Sequence, residues 1–139
     1  MPSPEQIAQL EYNIHLLVKP LFTAVSMYYT VGLSHRSKHR GVKKYVNTGV
    51  NWYIPHVLHI ALNRLGIEHY IFEKEEKIID GTKRYHKYLR VNCKQLKQVG
   101  EEEFMKTVRE VLKDIYYSKI TIKRGEYPWR EKTAGSSGQ

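Results

Sequence analysis

A short run of cationic side chains between positions 36 and 44 has the chemistry to bind phosphate. Its candidate binding residues are Arg36, Lys38, His39, Arg40, Lys43 and Lys44. Arginine and lysine donate charge-assisted hydrogen bonds to phosphate oxygens. The stretch from Ser34 to Gly41 has no apolar residue, so we expect an exposed loop, the basic loop. No carboxylate follows before Glu68, so only a ligand would offset the repulsion among these charges. An ordinary solvated charge run is the alternative interpretation.

A second basic segment, between Lys83 and Lys97, combines cations with an aromatic ring. Read as a strand, it places Arg84, His86, Tyr88 and Arg90 on one face, because strand side chains alternate. Such a face can contact a phosphate backbone and stack a base. The candidate binding residues here are Arg84, Lys87, Tyr88, Arg90 and Lys94. An unremarkable solvent-facing strand side is the alternative.

The histidine spacing does not favour a metal site. His35 and His39 are four residues apart, and His56 and His59 are three apart. Zinc needs a third and usually a fourth protein ligand, and neither pair has a cysteine or carboxylate close in sequence. We therefore predict neither a metal nor a cofactor.

Catalysis is also weakly supported. Glu75-x-Lys77 after a predicted strand is similar to the second half of a restriction-type nuclease motif, but that motif needs an upstream aspartate. The first aspartate of this chain is Asp80. Neither a phosphate-binding glycine loop nor a nucleophile elbow is present. We expect a protein that is not an enzyme.

The signs of charge are segregated along the chain of 139 residues, which has a formal net charge of +9. Glu11 and Glu68 enclose a stretch without carboxylates, and Gly81 and Gly100 enclose another. The acidic residues cluster elsewhere, at Glu68–Asp80, at Glu101–Glu103, and at Glu110 and Asp114. Segregation of this kind predicts one strongly positive face that attracts phosphate backbones.

Hydrophobic periodicity gives the elements that must position these residues. The first half of the chain is predicted to form a helix capped by Ser3 and ending near Lys19, a strand from Thr23 to Leu33, an optional short strand at Val42–Val46, and a helix from Asn51 to Leu65. A hairpin follows, in which Ile67–Ile79 and Lys83–Asn92 are joined by an Asp80-Gly81 turn. The last predicted elements are a helix from Glu101 to Tyr117 and a short strand at Ile120 and Ile122.

The element order α-β-(β)-α-β-β-α-β predicts the α+β class, with a small, mostly antiparallel sheet packed by two to three helices on one face. We expect one basic domain at residues 1–124 and a flexible C-terminal tail at residues 125–139. Tyr127 and Trp129, in that tail, are candidate protein-interaction residues.

The cellular compartment is suggested by cysteine usage. Cys93 is the only cysteine, so no intrachain disulfide can form, which suits a reducing, cytoplasmic environment. The most apolar stretch, Ile14 to Leu33, carries His15, Lys19 and Pro20, so we do not expect it to span a membrane.

These features favour a non-catalytic nucleic-acid-binding protein that uses the basic loop and the basic strand face to contact phosphates. The alternative is a small regulator that binds a nucleic-acid-processing machine, such as RNA polymerase or the ribosome, through protein–protein contacts. In that case Tyr127 and Trp129 would be an exposed anchor for the partner. The sequence leaves DNA and RNA, and single and double strands, equally open.

Overall fold

The computed structural model describes residues 2–33, 50–77 and 83–129, with 76–77 and 83–85 described by backbone alone. Within these ranges lie α1 (Pro4–Val18), α2 (Ile54–Arg64), α3 (Cys93–Val99) and α4 (Glu101–Tyr116), with strands β1 (Tyr28–Gly32), β2 (His69–Lys77) and β3 (Lys83–Asn92). Short 3₁₀ turns occupy Lys19–Phe22 and Asn51–Tyr53. None of the described helices is long and apolar enough to cross a bilayer. The basic loop, the optional strand at 42–46, the turn at 80–81 and residues 130–139 lie outside the described residues.

Helix α1 begins with the capping box that its sequence predicts. The Ser3 hydroxyl accepts a hydrogen bond from the Gln6 amide at 3.2 Å, and Gln6 Oε1 accepts one from the Ser3 amide at 2.9 Å. These bonds satisfy amides that a helix start otherwise leaves unpaired. The helix ends at Val18, just before Pro20, whose ring nitrogen has no hydrogen to donate.

The sheet is antiparallel, with β3 between β1 and β2. The predicted hairpin is confirmed, since β2 and β3 pair from His69↔Val91 to Lys77↔Lys83. Residues directly opposite each other project to the same side of an antiparallel sheet. The register therefore assigns every strand residue to one of two faces.

The helices cover only one of those faces. Helix α1 contacts β1, α2 contacts β2, and α4 packs on both α1 and α2. The side chains fully buried between these layers include Leu10, Ile14, Val57, Leu58, Leu89, Val91, Phe104 and Val108. A single layered core of this kind leaves the far side of the sheet, which we call the open face, without a helix from the described residues. The predicted α+β architecture is confirmed.

Helix α3 was not anticipated from the sequence. Its N-cap is Asn92, whose side chain accepts a hydrogen bond from the Gln95 amide at 3.1 Å. It ends at Gly100, where φ is 92°, a conformation that glycine adopts without steric cost. An asparagine N-cap and a following glycine are recognisable signals, so this helix was predictable.

The predicted last strand at Ile120 and Ile122 is wrong, because no strand forms there. Ser118 adopts a positive φ of 59°, and the amides of Lys119 and Ile120 then bond to the Asp114 carbonyl at the end of α4. With those amides used locally, the isoleucines pack against the core as irregular chain. Alternating burial here does not require a sheet.

Strand β1 is shorter than its alternating sequence predicts. It begins at Tyr28 rather than Thr23, and Val25, which precedes the strand, is fully exposed. Its partner β3 ends at Asn92, and the Cys93 amide of α3 bonds the Met27 carbonyl at 2.7 Å. Pairing stops where the partner strand becomes a helix.

Candidate nucleic-acid interface

The open face of the sheet brings together residues from the basic strand segment. In β3, Leu89 and Val91 are fully buried beneath the helices. His86, Tyr88 and Arg90 alternate with them and so share the open face, as the sequence pattern predicts. Arg84 lies in the same strand and is described by its backbone only.

Three aromatic rings from two strands lie side by side on this face. We call Tyr70, Phe72 and Tyr88 the aromatic row. The ring centroids of Tyr70 and Phe72 are 5.5 Å apart, and those of Phe72 and Tyr88 are 5.6 Å apart and nearly parallel, at 23°. Tyr70 is 61% exposed and the other two are partly exposed. The row therefore presents aromatic surface to solvent instead of to the core.

Gly32 keeps one side of the row open. It pairs with Tyr88 across the β1–β3 ladder, and a methyl group built on it would lie 3.8 Å from the Tyr88 ring. That distance is an ordinary van der Waals contact, so a larger residue would lie against the ring. Glycine at this position leaves the ring of Tyr88 accessible from the β1 side.

At the end of the sheet nearest α3, Arg90 and Tyr28 form a cation–π pair. The guanidinium carbon lies 5.1 Å from the Tyr28 ring centroid. The Tyr28 hydroxyl donates to Glu68 Oε1 at 2.7 Å, and Asn92 Nδ2 donates to the same oxygen at 3.2 Å. The bond from Tyr28 lowers the pKa of Glu68, and the same bond raises the pKa of Tyr28. Arg90 is thus oriented by an aromatic plane while it stays exposed.

Lys74 adds a second exposed cation to the open face. It pairs with His86 in the β2–β3 ladder, next to the Phe72–Tyr88 pair. The aromatic row is therefore flanked by Arg90 toward one end of the strands and Lys74 toward the other. Rings between cations can contact bases and phosphates at once.

Sequence reasoning missed Tyr70, Phe72 and Lys74 as site residues. The signal was present, since these three alternate with Ile71 and Glu73 in the first strand of the hairpin. Their relation to Tyr88 depends on the strand register, which a single strand does not reveal.

Two predicted binding residues are not brought together with the others. Lys87 lies on the helix-covered side of β3, with Nζ 3.9 Å from Glu73 Oε2 and 4.7 Å from the centroid of the Tyr127 ring. Its side chain is only 23% exposed, so its charge is largely directed inward. Lys94 is exposed but lies in the first turn of α3, beyond the end of the strand.

The six candidate residues in and just after the basic loop, Arg36, Lys38, His39, Arg40, Lys43 and Lys44, lie outside the described residues. The residues that bracket the segment are described, and both are buried: Leu33 is 2% exposed and Val50 is 3% exposed. The Leu33 amide bonds the Lys87 carbonyl at 2.9 Å, one residue after Gly32 pairs with Tyr88. Leu33, the last described residue before the basic loop, therefore lies beside the strand that carries Tyr88.

Trp129 is buried, whereas the protein-partner interpretation requires it to be exposed. It is 6% exposed, and its ring lies 5.1 Å from His56 and 5.3 Å from Tyr127. Burial lowers the pKa of His56 to about 4, with the positive charge of Lys87 contributing. The chain is thus packed against the domain as far as Trp129, five residues past the boundary predicted at 124.

Acidic side chains gather on the helical side of the molecule. Glu101, Glu102 and Glu103 occupy the first turn of α4, where the positive end of the helix dipole stabilises their negative charges. His15 Nε2 lies 2.8 Å from Glu101 Oε2, and Arg109 Nη1 lies 3.4 Å from Glu11 Oε2. Because α4 packs behind α1 and α2, this surface and the open face lie on different sides of the fold.

His59 and His69 form a hydrogen-bonded pair that joins α2 to β2. His69 Nδ1 lies 2.9 Å from the Ile67 carbonyl oxygen, to which it donates. In the neutral tautomer with this donor, Nε2 accepts from His59 Nδ1, 3.0 Å away. Among the described residues, no three histidine, cysteine or carboxylate side chains converge in a way that could hold a metal ion.

Comparison with known proteins identifies no relative, since no protein-family model, curated protein or solved structure matches this chain. Its function must therefore be argued from the surface just described.

Proposed function

We propose that this protein is a non-catalytic nucleic-acid-binding protein. The observation that carries the proposal is the exposed aromatic row on the open face, flanked by Arg90 and Lys74. Phosphates would bind these cations and the basic loop, and the rings would contact sugars or bases. The excess of 23 lysine and arginine residues over 14 acidic residues supports attraction to a polyanion.

The separation of charge supports the same proposal. Acidic residues in the first turn of α4 belong to the helical side, while Arg90 and Lys74 belong to the open face. A phosphate backbone on the open face therefore meets cations without passing the glutamates of α4. Leu33, the last described residue before the segment with Arg36, Lys38 and Arg40, follows β1 and bonds to the central strand β3.

We further propose that binding requires neither a cofactor nor a metal and involves no reaction. A reducing, cytoplasmic compartment is proposed because Cys93 is the only cysteine and is fully buried. Its pKa is raised by burial, which disfavours the reactive thiolate.

The rival proposal is a regulator that binds a polymerase or ribosome through protein contacts. Burial of Trp129 removes half of the aromatic anchor suggested for that role. The exposed ring of Tyr70 remains available to any partner. The two proposals differ in their behaviour toward naked nucleic acid, which the protein-directed regulator should bind poorly.

Salt dependence is the test of the nucleic-acid proposal. Each neutralised phosphate lowers log affinity by roughly 0.7–0.9 per unit of log salt concentration. Changing Arg36, Lys38 and Arg40 together to alanine should weaken binding to DNA or RNA and flatten this slope by about two units. Fluorescence anisotropy across a salt series measures both effects.

A matched variant controls for net charge. Lys106, Lys113 and Lys119 are exposed on or just after α4, so their joint change to alanine removes the same charge from the helical side. This control should keep the wild-type slope. An unchanged slope in the folded Arg36, Lys38 and Arg40 variant would show that the basic loop does not contact phosphate, and poor wild-type binding would favour the rival proposal.

A further inference from the structure

The chemistry of the aromatic row distinguishes between two forms of nucleic acid. Tyr70, Phe72 and Tyr88 offer ring surface, and ring surface binds the flat face of a base. In a duplex those base faces are covered by neighbouring base pairs. Unpaired strands, loops and ends expose them, and sequence-tolerant binding proteins stack them on aromatic side chains.

Sheet stability alone is an incomplete explanation of the row. The Phe72–Tyr88 contact is a cross-strand pair of a kind that stabilises sheets modestly. Tyr70 pairs with Arg90 in the ladder, and is 61% exposed. A ring held that far into solvent contributes little burial, and it extends the row outward from the stacked pair.

The residues around the aromatic row match the chemistry of a single nucleic-acid strand, which has a charged backbone and bases along one side. Arg90 and Lys74 are exposed at the two ends of the row, on the same face as the rings. Gly32 places no side chain against the Tyr88 ring. The rings are thus bordered by cations on the sheet.

We infer that the open face binds single-stranded nucleic acid, with bases stacked on Tyr70, Phe72 and Tyr88 and with phosphates on Arg90 and Lys74. A row of three rings accommodates about two to three bases. This inference rests on the proposed function, which it narrows from nucleic acids in general to unpaired strands. It predicts that the aromatic rings contribute to the binding affinity as well as the charged side chains.

The test replaces rings without changing charge. Tyr70→Leu with Tyr88→Leu keeps apolar side chains of similar reach but removes the flat surfaces, while Tyr70→Phe with Tyr88→Phe retains them. Tyr12→Leu with Tyr117→Leu is the matched control, because these tyrosines are 55% and 60% exposed on the helical side. Circular dichroism and thermal melting establish that each variant is folded.

The ligands are oligothymidylate and oligouridylate of about 12 nucleotides, within the usual range of site sizes, and a duplex of equal length. The wild type should bind a single strand at least roughly tenfold more tightly than the duplex. The Leu pair should weaken that binding by about tenfold or more with an unchanged salt slope, whereas the Phe pair and the helical control should not. The two single strands separate DNA from RNA as the source of the ligand.

Equal or tighter binding of the duplex, or a folded Leu pair that binds single strands normally, would overturn the inference. The proposed function would survive either result, provided that binding still fell steeply with salt. Absence of salt-dependent binding to every ligand would instead remove the proposed function, and the inference with it.

Discussion

His56 is a buried histidine surrounded by aromatic rings. It is 3% exposed, its ring stacks within 15° of parallel on Tyr127, and it contacts Trp129 and, edge-on, Trp52. An imidazolium in these surroundings would lose its hydration and would also face the positive charge of Lys87. The lowered pKa of about 4 therefore keeps the side chain neutral in the folded protein at pH values above it.

The lowered pKa of His56 predicts a specific pH dependence of stability. Its folded pKa of about 4 lies below its ordinary value of 6.5, so the unfolded chain binds the extra proton first. Stability should consequently fall as pH drops from about 6.5 to about 4, by at most roughly 3 kcal/mol. Urea unfolding of the wild type and of His56→Phe across this interval measures the difference. Parallel pH profiles for the two proteins would show that His56 does not titrate in this way.

At the scale of elements, most local signals were read correctly, and the helix α3, whose Asn92 cap and Gly100 were overlooked, is the exception. The capping box at Ser3, the stop before Pro20 and the hairpin between β2 and β3 all form as predicted. The start of β1 depends instead on where its partner β3 stops, and the segment at Ile120 depends on the Asp114 carbonyl, which accepts the Ile120 amide. Such contacts override strand propensity.

The candidate site was predictable only where the alternation along a single strand decides which face a residue occupies. Alternation alone places His86, Tyr88 and Arg90 on one face, and the structure agrees. It cannot show that Tyr70 and Phe72 lie beside them, because that depends on register across the hairpin. Likewise, neither composition nor position near the C-terminus shows that Trp129 packs on His56.

The buried C-terminal segment can be tested through Trp129. Replacing a buried tryptophan with alanine removes a large apolar contact and leaves a cavity, at a cost of about 3–5 kcal/mol. Trp129→Ala should therefore lower the melting temperature by roughly 10 °C or more. Differential scanning calorimetry provides the measurement.

Deletion of Thr133–Gln139 is the control for Trp129→Ala. This segment has no apolar residue to bury apart from Ala134. The deletion should leave the melting temperature within about a degree of the wild type. A loss of several degrees would mean that the last residues belong to the fold, while a Trp129→Ala variant of normal stability would contradict the packing described above.

At the scale of the whole molecule, the first-turn glutamates of α4 lie on the helical side, while the aromatic row, Arg90 and Lys74 lie on the open face, with the Glu68 carboxylate bonded to Tyr28 at its Arg90 end. Metal-assisted phosphodiester cleavage requires clustered carboxylates close to the bound phosphate, and the described residues form no group of three metal-binding side chains. Glu75, the carboxylate of the weak nuclease-like sequence, lies on β2 and pairs in register with Tyr85.

We therefore predict that the purified protein does not cleave DNA or RNA when Mg²⁺ is supplied. Incubation of labelled single and double strands with wild type and Glu75→Ala, resolved on denaturing gels, gives the answer. Reproducible cleavage by the wild type that disappears in Glu75→Ala would establish an enzyme.

The most direct test of the central claim is to map the bound surface by NMR, titrating ¹⁵N-labelled protein with a short single-stranded oligonucleotide. We predict that amide shifts concentrate in β2 and β3 around Tyr70, Tyr88 and Arg90 and in the basic loop, with α4 unaffected. Shifts centred on α4 and its glutamates would contradict the proposed site on the open face. So would the absence of shifts at protein and oligonucleotide concentrations where anisotropy shows that the protein binds other ligands.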